Sequence, residues 1–433
     1  MPAAAMPHGP LPRFPVEQWQ LSNGLRVVLQ PDPGAPLVAS TMCYGAGSRC
    51  DPSQRHGLAH LCEHLVFHGP RSAAGRSFPE RIERTGGAAQ AMTMADRLCF
   101  SAVFPRRELT AVLAVEAERM AAPIDPRQVE ALEIQRRILL EELRERSERR
   151  VHAAAVERIH RLLFPRDHPY HGPPAGEPDG IRAITADEVE AFCVAHLRPG
   201  NAVLVLVGDL SLTTTAERVR RSFEGLPAGS EPAPEAVFER HRQGGQRRLT
   251  VPAAVSQANS HLAWSVPGFG HEGWYQASLL MRGLAAGRSS ALARELVERA
   301  GLAREVRGSL VAMRDASTLV LAAVAAPGVE SRSLEAGLAE ATDRLLSRGL
   351  SASQLLRARK RALTDYWFVA QYLDRRADLC AALSCYLGAP ERLPTEPLRY
   401  LHPDEEAIAG FAGRLRREPA RAVLSFIPET EAA

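Results

Sequence analysis

The stretch HGLAHLCEHLVFHGP, residues 56 to 70, decides how the rest of the chain is read. At its centre stand His60, Leu61, Cys62, Glu63 and His64, an H-x-x-E-H pattern. Two histidines four residues apart share one face of a helix, so both imidazoles can point at one metal ion, and Glu63 projects beside them. Leu58, Leu61, Leu65 and Phe67 surround the polar trio, which predicts a buried helix. Buried imidazoles and a carboxylate need partners or a cation. Cys62 turns away from the two histidines and reads as a small buried filler. His56 and His68 read as ordinary residues flanking the helix.

A catalytic zinc takes three protein ligands and keeps one position for water, so a third ligand is expected elsewhere. The candidate segment is LEIQRRILLEELRER, residues 132 to 146. Ile134, Ile138, Leu139 and Leu143 make an apolar stripe at helical spacing, and Glu142 falls next to it. The competing reading of this segment is a solvated, charge-laced helix, and the run RERSERR (144 to 150) reads most simply as such a face. Chance alone would place H-x-x-E-H in about 3–4 of 100 chains of this composition, so the pentapeptide needs its surroundings.

Those surroundings resemble the pitrilysin/insulinase metallopeptidases, in particular the short two-domain branch that includes the mitochondrial processing peptidases and their bacterial relatives. The likeness runs through LSNGLRVVLQPDPGAPLVAS (21 to 40), GSRCDPSQRHGLAHLCEH (47 to 64), GGAAQAMTMADRLCF (86 to 100) and ILLEEL. It resumes in HPYHGPPAGEPDGIRAITADEVEAFCVAHLRPGNAVLVLVGDL (168 to 210). The reversed motif is that of the inverzincins. The resemblance implies that His60, His64 and Glu142 bind Zn2+ and that Glu63 is the general base. It also implies an edge strand at Ala88, Gln90, Ala91 and Thr93 along which an extended peptide substrate adds. His168 and His171 read as loop residues within reach of substrate.

Four positions depart from the family pattern. Gln135 stands where a glutamate is usual, seven residues before Glu142; an amide still hydrogen-bonds around the site but adds no negative charge. Gln90 replaces an asparagine on the substrate strand. In GRSSALARELVERAGLAREV (287 to 306), Val297 and Arg304 occupy the positions of an Arg/Tyr pair that holds the substrate carbonyl. A missing carbonyl donor typically costs about 3–4 kcal/mol of transition-state stabilisation. The expectation is a heterodimer in which a partner subunit lacking the zinc motif supplies that pair. A register shifted by a few residues, with Arg294 or Arg299 as donor, is the alternative.

The chain's 433 residues and formal charge of +3 give no nucleic-acid or membrane footprint. No apolar run reaches membrane-spanning length, and residues 1–15 lack a signal-peptide core. Seven cysteines, an odd number without metal-like pairing, fit reduced thiols in a bacterial cytoplasm. Strands are expected at 26–30, 38–47, 91–104 and 202–210, with helices at 76–85, 106–121 and 126–149. A Pro- and Gly-rich linker at 226–246 precedes strands at 247–255, 259–266, 303–312, 317–325 and 422–428. Helices are expected at 272–285, 289–300 and through 330–388. The fold class is therefore α+β, with two homologous domains, each a mixed sheet covered by helices. The parts are a flexible segment 1–15, a zinc-binding domain 16–225, the linker, and a second domain 247–433 that keeps the plan without the metal motif. The expected activity is zinc-dependent endopeptidase hydrolysis of peptides or precursor segments in an enclosed chamber. The alternative is a non-catalytic scaffold of the same fold, like the core subunits of respiratory complexes.

Overall fold

The computed structural model of the chain describes residues 12–34, 36–69, 76–124, 129–149, 151–229 and 245–432. In the first half the elements run β1 (Glu17–Gln20), β2 (Arg26–Pro31), β3 (Leu37–Tyr44), α1 (Leu58–His68), α2 (Phe78–Glu83), β4 (Ala88–Thr93), β5 (Leu98–Pro105), α3 (Leu109–Ala121) and α4 (Val129–Arg149). They continue through α5 (Val151–Leu163), α6 (Pro178–Ala183), α7 (Ala186–His196), β6 (Ala202–Gly208) and α8 (Leu212–Phe223). The second half holds β7 (Arg247–Ala253), β8 (Asn259–Pro267), α9 (Glu272–Ala285), α10 (Ala291–Ala293), β9 (Ala303–Val311) and β10 (Ala316–Ala325). It closes with α11 (Ser331–Arg348), α12 (Ala352–Ala370), α13 (Leu373–Leu387), α14 (Glu405–Arg417), β11 (Arg421–Pro428) and α15 (Glu429–Ala432).

The strands form two mixed sheets, ordered β1-β2-β6-β3-β5-β4 and β7-β11-β8-β10-β9. Each has one parallel pair, β2 with β6 and β7 with β11, and antiparallel pairs elsewhere. Apart from β1 the two orders correspond strand for strand, so the halves repeat one plan. In this correspondence α1, which follows central strand β3, matches α9, which follows β8.

Both faces of each sheet are covered, which is why the central strand β6, AVLVLVG, is apolar throughout rather than alternating. In β6, Leu204 and Leu206 enter the core under α1 and α3, whereas Val203, Val205 and Val207 face the opposite way. That opposite face is closed by α13, a helix of the second half, through Ala377, Cys380, Ala381 and Leu383. Reciprocally, α5 of the first half lies on β11, β8 and β7, with Ile159, Leu163 and Phe164 against Ala263, Leu424 and Phe426. Each fully buried aliphatic side chain contributes about 1.5–3 kcal/mol. The halves are thus joined by exchanged helices.

Several elements differ from expectation. The segment 91–104 is a hairpin, because Met94 N–H bonds Arg97 C=O across a turn. Helix α2 is shorter than 76–85, opened by a Ser77/Glu80 capping box. The helix expected at 289–300 starts at α10 and continues as a π-helical turn, Arg294–Arg299. The tract 330–388 holds long helices as expected, three of them, broken first at Gly349, whose φ of +69° suits glycine. Strand β1 and helices α5 and α14 carried no expectation. Most of the 226–246 linker and most of the 1–15 segment lie outside the described residues. No helix among the described residues is long and apolar enough to cross a membrane.

Candidate metal centre

Helix α1 is held at its start by a residue outside it. Asp51 accepts hydrogen bonds from the N–H groups of Gly57 at 2.7 Å and Ala59 at 2.8 Å, satisfying two of the unpaired donors of the first turn. Burial raises the Asp51 carboxyl to about 7, against the pull of these backbone N–H groups. Gly57 sits at φ +109°, and a Cβ there would lie 2.6 Å from Ile181 Cγ1, so only glycine fits this entry. Leu58, Leu61, Leu65, Val66 and Phe67 anchor the helix in the first core. His60, Glu63 and His64 are each 8% exposed on its remaining face.

The donor atoms of these three side chains lie within 4.8 Å of one another, and no other such group of three occurs among the described residues. The imidazoles meet edge to face, centroids 4.8 Å apart. His60 Nδ1 is 3.1 Å from the Ala175 carbonyl, and His64 Nδ1 is 3.4 Å from Gln135 Oε1. Both of those oxygens only accept, so each Nδ1 carries the proton and each Nε2 is left with its lone pair. Burial, and the neighbouring His60 and His68, lower His64 to about 4, so it is neutral at physiological pH. Two Nε2 atoms on one helix face beside a carboxylate are donors of the kind a zinc ion takes, and Glu142 is the candidate for the third.

Glu63 Oε2 accepts a hydrogen bond from Thr93 Oγ1 at 2.5 Å. Burial pushes its carboxyl above the ordinary range, opposed by His60 and by the Thr93 bond. Glu142, on α4, stands at the margin: its Oε2 is 3.6 Å from His64 Nε2, and its side chain is 42% exposed. The apolar stripe expected on α4 is rotated. Ile134 and Ile138 face solvent, and the buried side runs through Leu132, Gln135, Arg136 and Leu139. Gln135, Leu139 and Glu142, spaced by four and three, are the positions aimed at α1.

A cavity of about 500 Å³ opens over this group, bounded also by Ala91, Met92, Thr93, Arg146, Glu157 and Ala175. Strand β4, at the sheet edge, pairs only with β5. Of the expected substrate positions, Ala91 and Thr93 line the cavity, whereas Ala88 and Gln90 do not. Arg146 belongs to the run read as solvated, yet it turns toward Glu142, at 3.8 Å. Glu157, Asp51 and the Ala175 carbonyl were not foreseen; Asp51 lies too far before the helix for a local capping pattern to reveal it. His68 shares the histidine face, its ring 5.9 Å from that of His64. His168 is buried, stacked on Phe164 at 4.6 Å, and does not reach the cavity. Cys62 is fully buried against α7, as expected.

Val297 and Arg304 come together in a different cavity of the second half, about 970 Å³ in volume. Neither Arg294 nor Arg299 lines it, and Arg299 is engaged with Glu295 at 2.8 Å. The shifted register therefore brings no arginine to Val297's place.

A sequence profile described as Insulinase (Peptidase family M16) matches residues 26–167, and one described as Peptidase M16 inactive domain matches residues 183–362. The zinc protease PqqE of Helicobacter pylori is 26% identical over 378 residues, covering 86% of this chain and 83% of that protein. The crystal structure of a protease from Helicobacter pylori superposes with a TM-score of 0.87 at 23% identity, covering 96% of this chain and 100% of its own. The peptidase M16 inactive domain from Pseudomonas fluorescens does so with a TM-score of 0.82 at 18% identity, covering 96% and 98%.

Proposed function

Because the chain belongs to the insulinase (peptidase M16) family, we propose that it is a zinc-dependent endopeptidase acting on unfolded peptides or precursor segments, as the zinc-bearing subunit of a heterodimer. The observation that carries this reading is the buried His60, Glu63 and His64 group lining one cavity with Glu142, both Nδ1 atoms engaged and His64 Nε2 3.6 Å from Glu142. His60 and His64 would hold Zn2+, with Glu142 as third ligand from α4 and Gln135 orienting His64. A zinc ion held there would supply Lewis acidity, lowering the pKa of a bound water and polarising a carbonyl.

Glu63 takes the water proton and returns it to the leaving amine; a carboxyl raised by burial suits a group that must both accept and donate. Thr93 fixes the Glu63 carboxylate by donating to Oε2. Next to it, the open edge of β4 offers backbone N–H and C=O groups to an extended peptide. A partner subunit supplies the carbonyl donors that Val297 and Arg304 do not provide. We place the chain in the cytoplasm on the strength of its seven free cysteines.

A scaffold role is the competing reading, and the description of the second-half profile as inactive lends it weight. The deciding experiment expresses the chain alone and with a neighbouring reading frame, then measures metal content and cleavage of an unstructured quenched peptide. Glu63→Gln should keep the metal and lose turnover, and His64→Ala should lose the metal. Metal bound without cleavage in every combination leaves a scaffold; full activity of the lone monomer removes the heterodimer.

A further inference from the structure

The repeat places a second cavity where the metal cavity stands in the first half. Helix α9 matches α1, β9 matches the edge strand β4, and α12 packs on α9 as α4 packs on α1. Between α9, the π-helical turn, β9 and α12 lies the cavity of about 970 Å³ that holds Val297 and Arg304. An adjoining one of about 520 Å³ shares Arg282, Arg288 and Arg361 with it and adds Ser290, Arg357 and Lys360. Where the first half gathers ligands for a cation, the second gathers cations.

The excess is local, because the chain as a whole carries 53 basic against 50 acidic residues. Of the three carboxylates in the lining, Asp365 is taken by Arg361 at 2.8 Å and approached by Arg282 at 3.5 Å, and Glu305 is taken by Arg307. Glu298 remains. Arg288, Arg304, Arg357 and Lys360 make no side-chain hydrogen bond or ion pair with another described residue. Ser290 is 4% exposed, and its Oγ, in the wall of the smaller cavity, has no hydrogen-bond partner among the described residues. Arg288, Arg304, Arg357 and Lys360 are exposed in these linings, and an excess of positive charge in a concave surface attracts an anionic ligand.

The chemistry of the walls narrows the ligand. No aromatic side chain lines either cavity, so bases have nothing to stack on and single-stranded nucleic acid is disfavoured. The cations are spread along a cleft shared by two cavities, which fits several carboxylates on an extended chain better than one compact ion. A second arginine-rich groove borders the metal cavity, but there Arg144, Arg161 and Arg182 are already paired with Glu141, Glu177 and Asp179.

We propose that this cleft docks a carboxylate-rich segment of the peptide substrate, held by Arg288, Arg304, Arg357 and Lys360, with Ser290 as a further hydrogen-bonding group. The proposal rests on the peptidase reading for the peptide nature of the ligand. The test uses the full chain carrying Glu63→Gln and loaded with zinc, and fluorescence anisotropy of two amidated, unstructured peptides, one rich in glutamate and its glutamine counterpart. The glutamate peptide should bind at least about tenfold more tightly, the sum of a few exposed ion pairs. Arg288→Ala with Arg304→Ala, Arg357→Ala and Lys360→Ala should erase that difference while melting temperature and zinc content stay unchanged. Equal affinity for the two peptides, or a preference that survives the four substitutions, overturns the proposal. Cleavage of both peptides by the wild-type chain is scored separately, so failure of the peptidase reading is told apart from failure of the cleft.

Discussion

Gln135 is a side chain outside the proposed ligand set that would tune it. Its Oε1 receives the His64 Nδ1 proton at 3.4 Å and so fixes the tautomer that leaves Nε2 for metal. Gln135→Ala should weaken zinc binding by about 10–100-fold, read by competition with a chelator, whereas Gln135→Glu should hold or tighten it because a carboxylate makes the imidazole a better donor. A histidine away from the metal gives a clean pH response. His160, on α5, is lowered to about 4 by burial, and next by the charge of His168. Its folded value lies below the ordinary 6.5, so the unfolded chain takes the proton first. The stability this neutral histidine contributes is complete above pH 6.5 and is lost as pH falls toward 4. Substituting His160→Leu should flatten that limb of a plot of melting temperature against pH, and an unchanged limb would contradict the assignment.

Helix α1 depends for its position on Asp51, which lies outside the helix and takes two of its N–H donors. Asp51→Ala should cost about 1–2 kcal/mol in urea unfolding of the apo chain, and Asp51→Asn, which keeps one acceptor oxygen, about half as much. Helix α4 illustrates what spacing leaves open. Ile134, Ile138 and Leu139 could each define a stripe, and apolar residues spread around a charged helix do not say which way it is turned. The packing of Leu132 and Leu139 against the first core decides it, and Gln135 and Glu142 follow onto the α1 side. Strand β4 is a sheet edge, and its proposed role along a substrate comes from resemblance, since AAQAMT has weak strand character of its own.

Across the molecule, the hairpin that carries β4 is tied to the second half by buried charge. Asp96, in its turn, accepts from Arg49 at 2.9 Å, from Tyr170 at 2.7 Å and from the Arg314 N–H at 2.9 Å, while Arg49 also reaches Asp315 at 3.1 Å. Arg97 beside it pairs with Asp378 of α13 at 2.6 Å. Removing one member of a buried pair leaves a charge without compensation. Asp96→Ala should therefore destabilise the chain by about 3–5 kcal/mol, and chemical denaturation should separate into two transitions as the halves uncouple. A single transition with unchanged midpoint would show that the exchanged helices alone hold the halves together.

The amino-acid sequence is sufficient for the H-x-x-E-H helix and the apolar strand within 202–210, because each rests on periodicity within one segment, and for the duplicated plan, because the order of strands and helices recurs. It also places Glu142 and Gln135 seven residues apart on one helix. Tertiary structure decides the rest. It turns α4 so that those two face α1 and brings the Ala175 carbonyl under His60. It also sends α5 and α13 across to the opposite sheets. These depend on which apolar faces meet, and an apolar face records that it must be covered without recording by what.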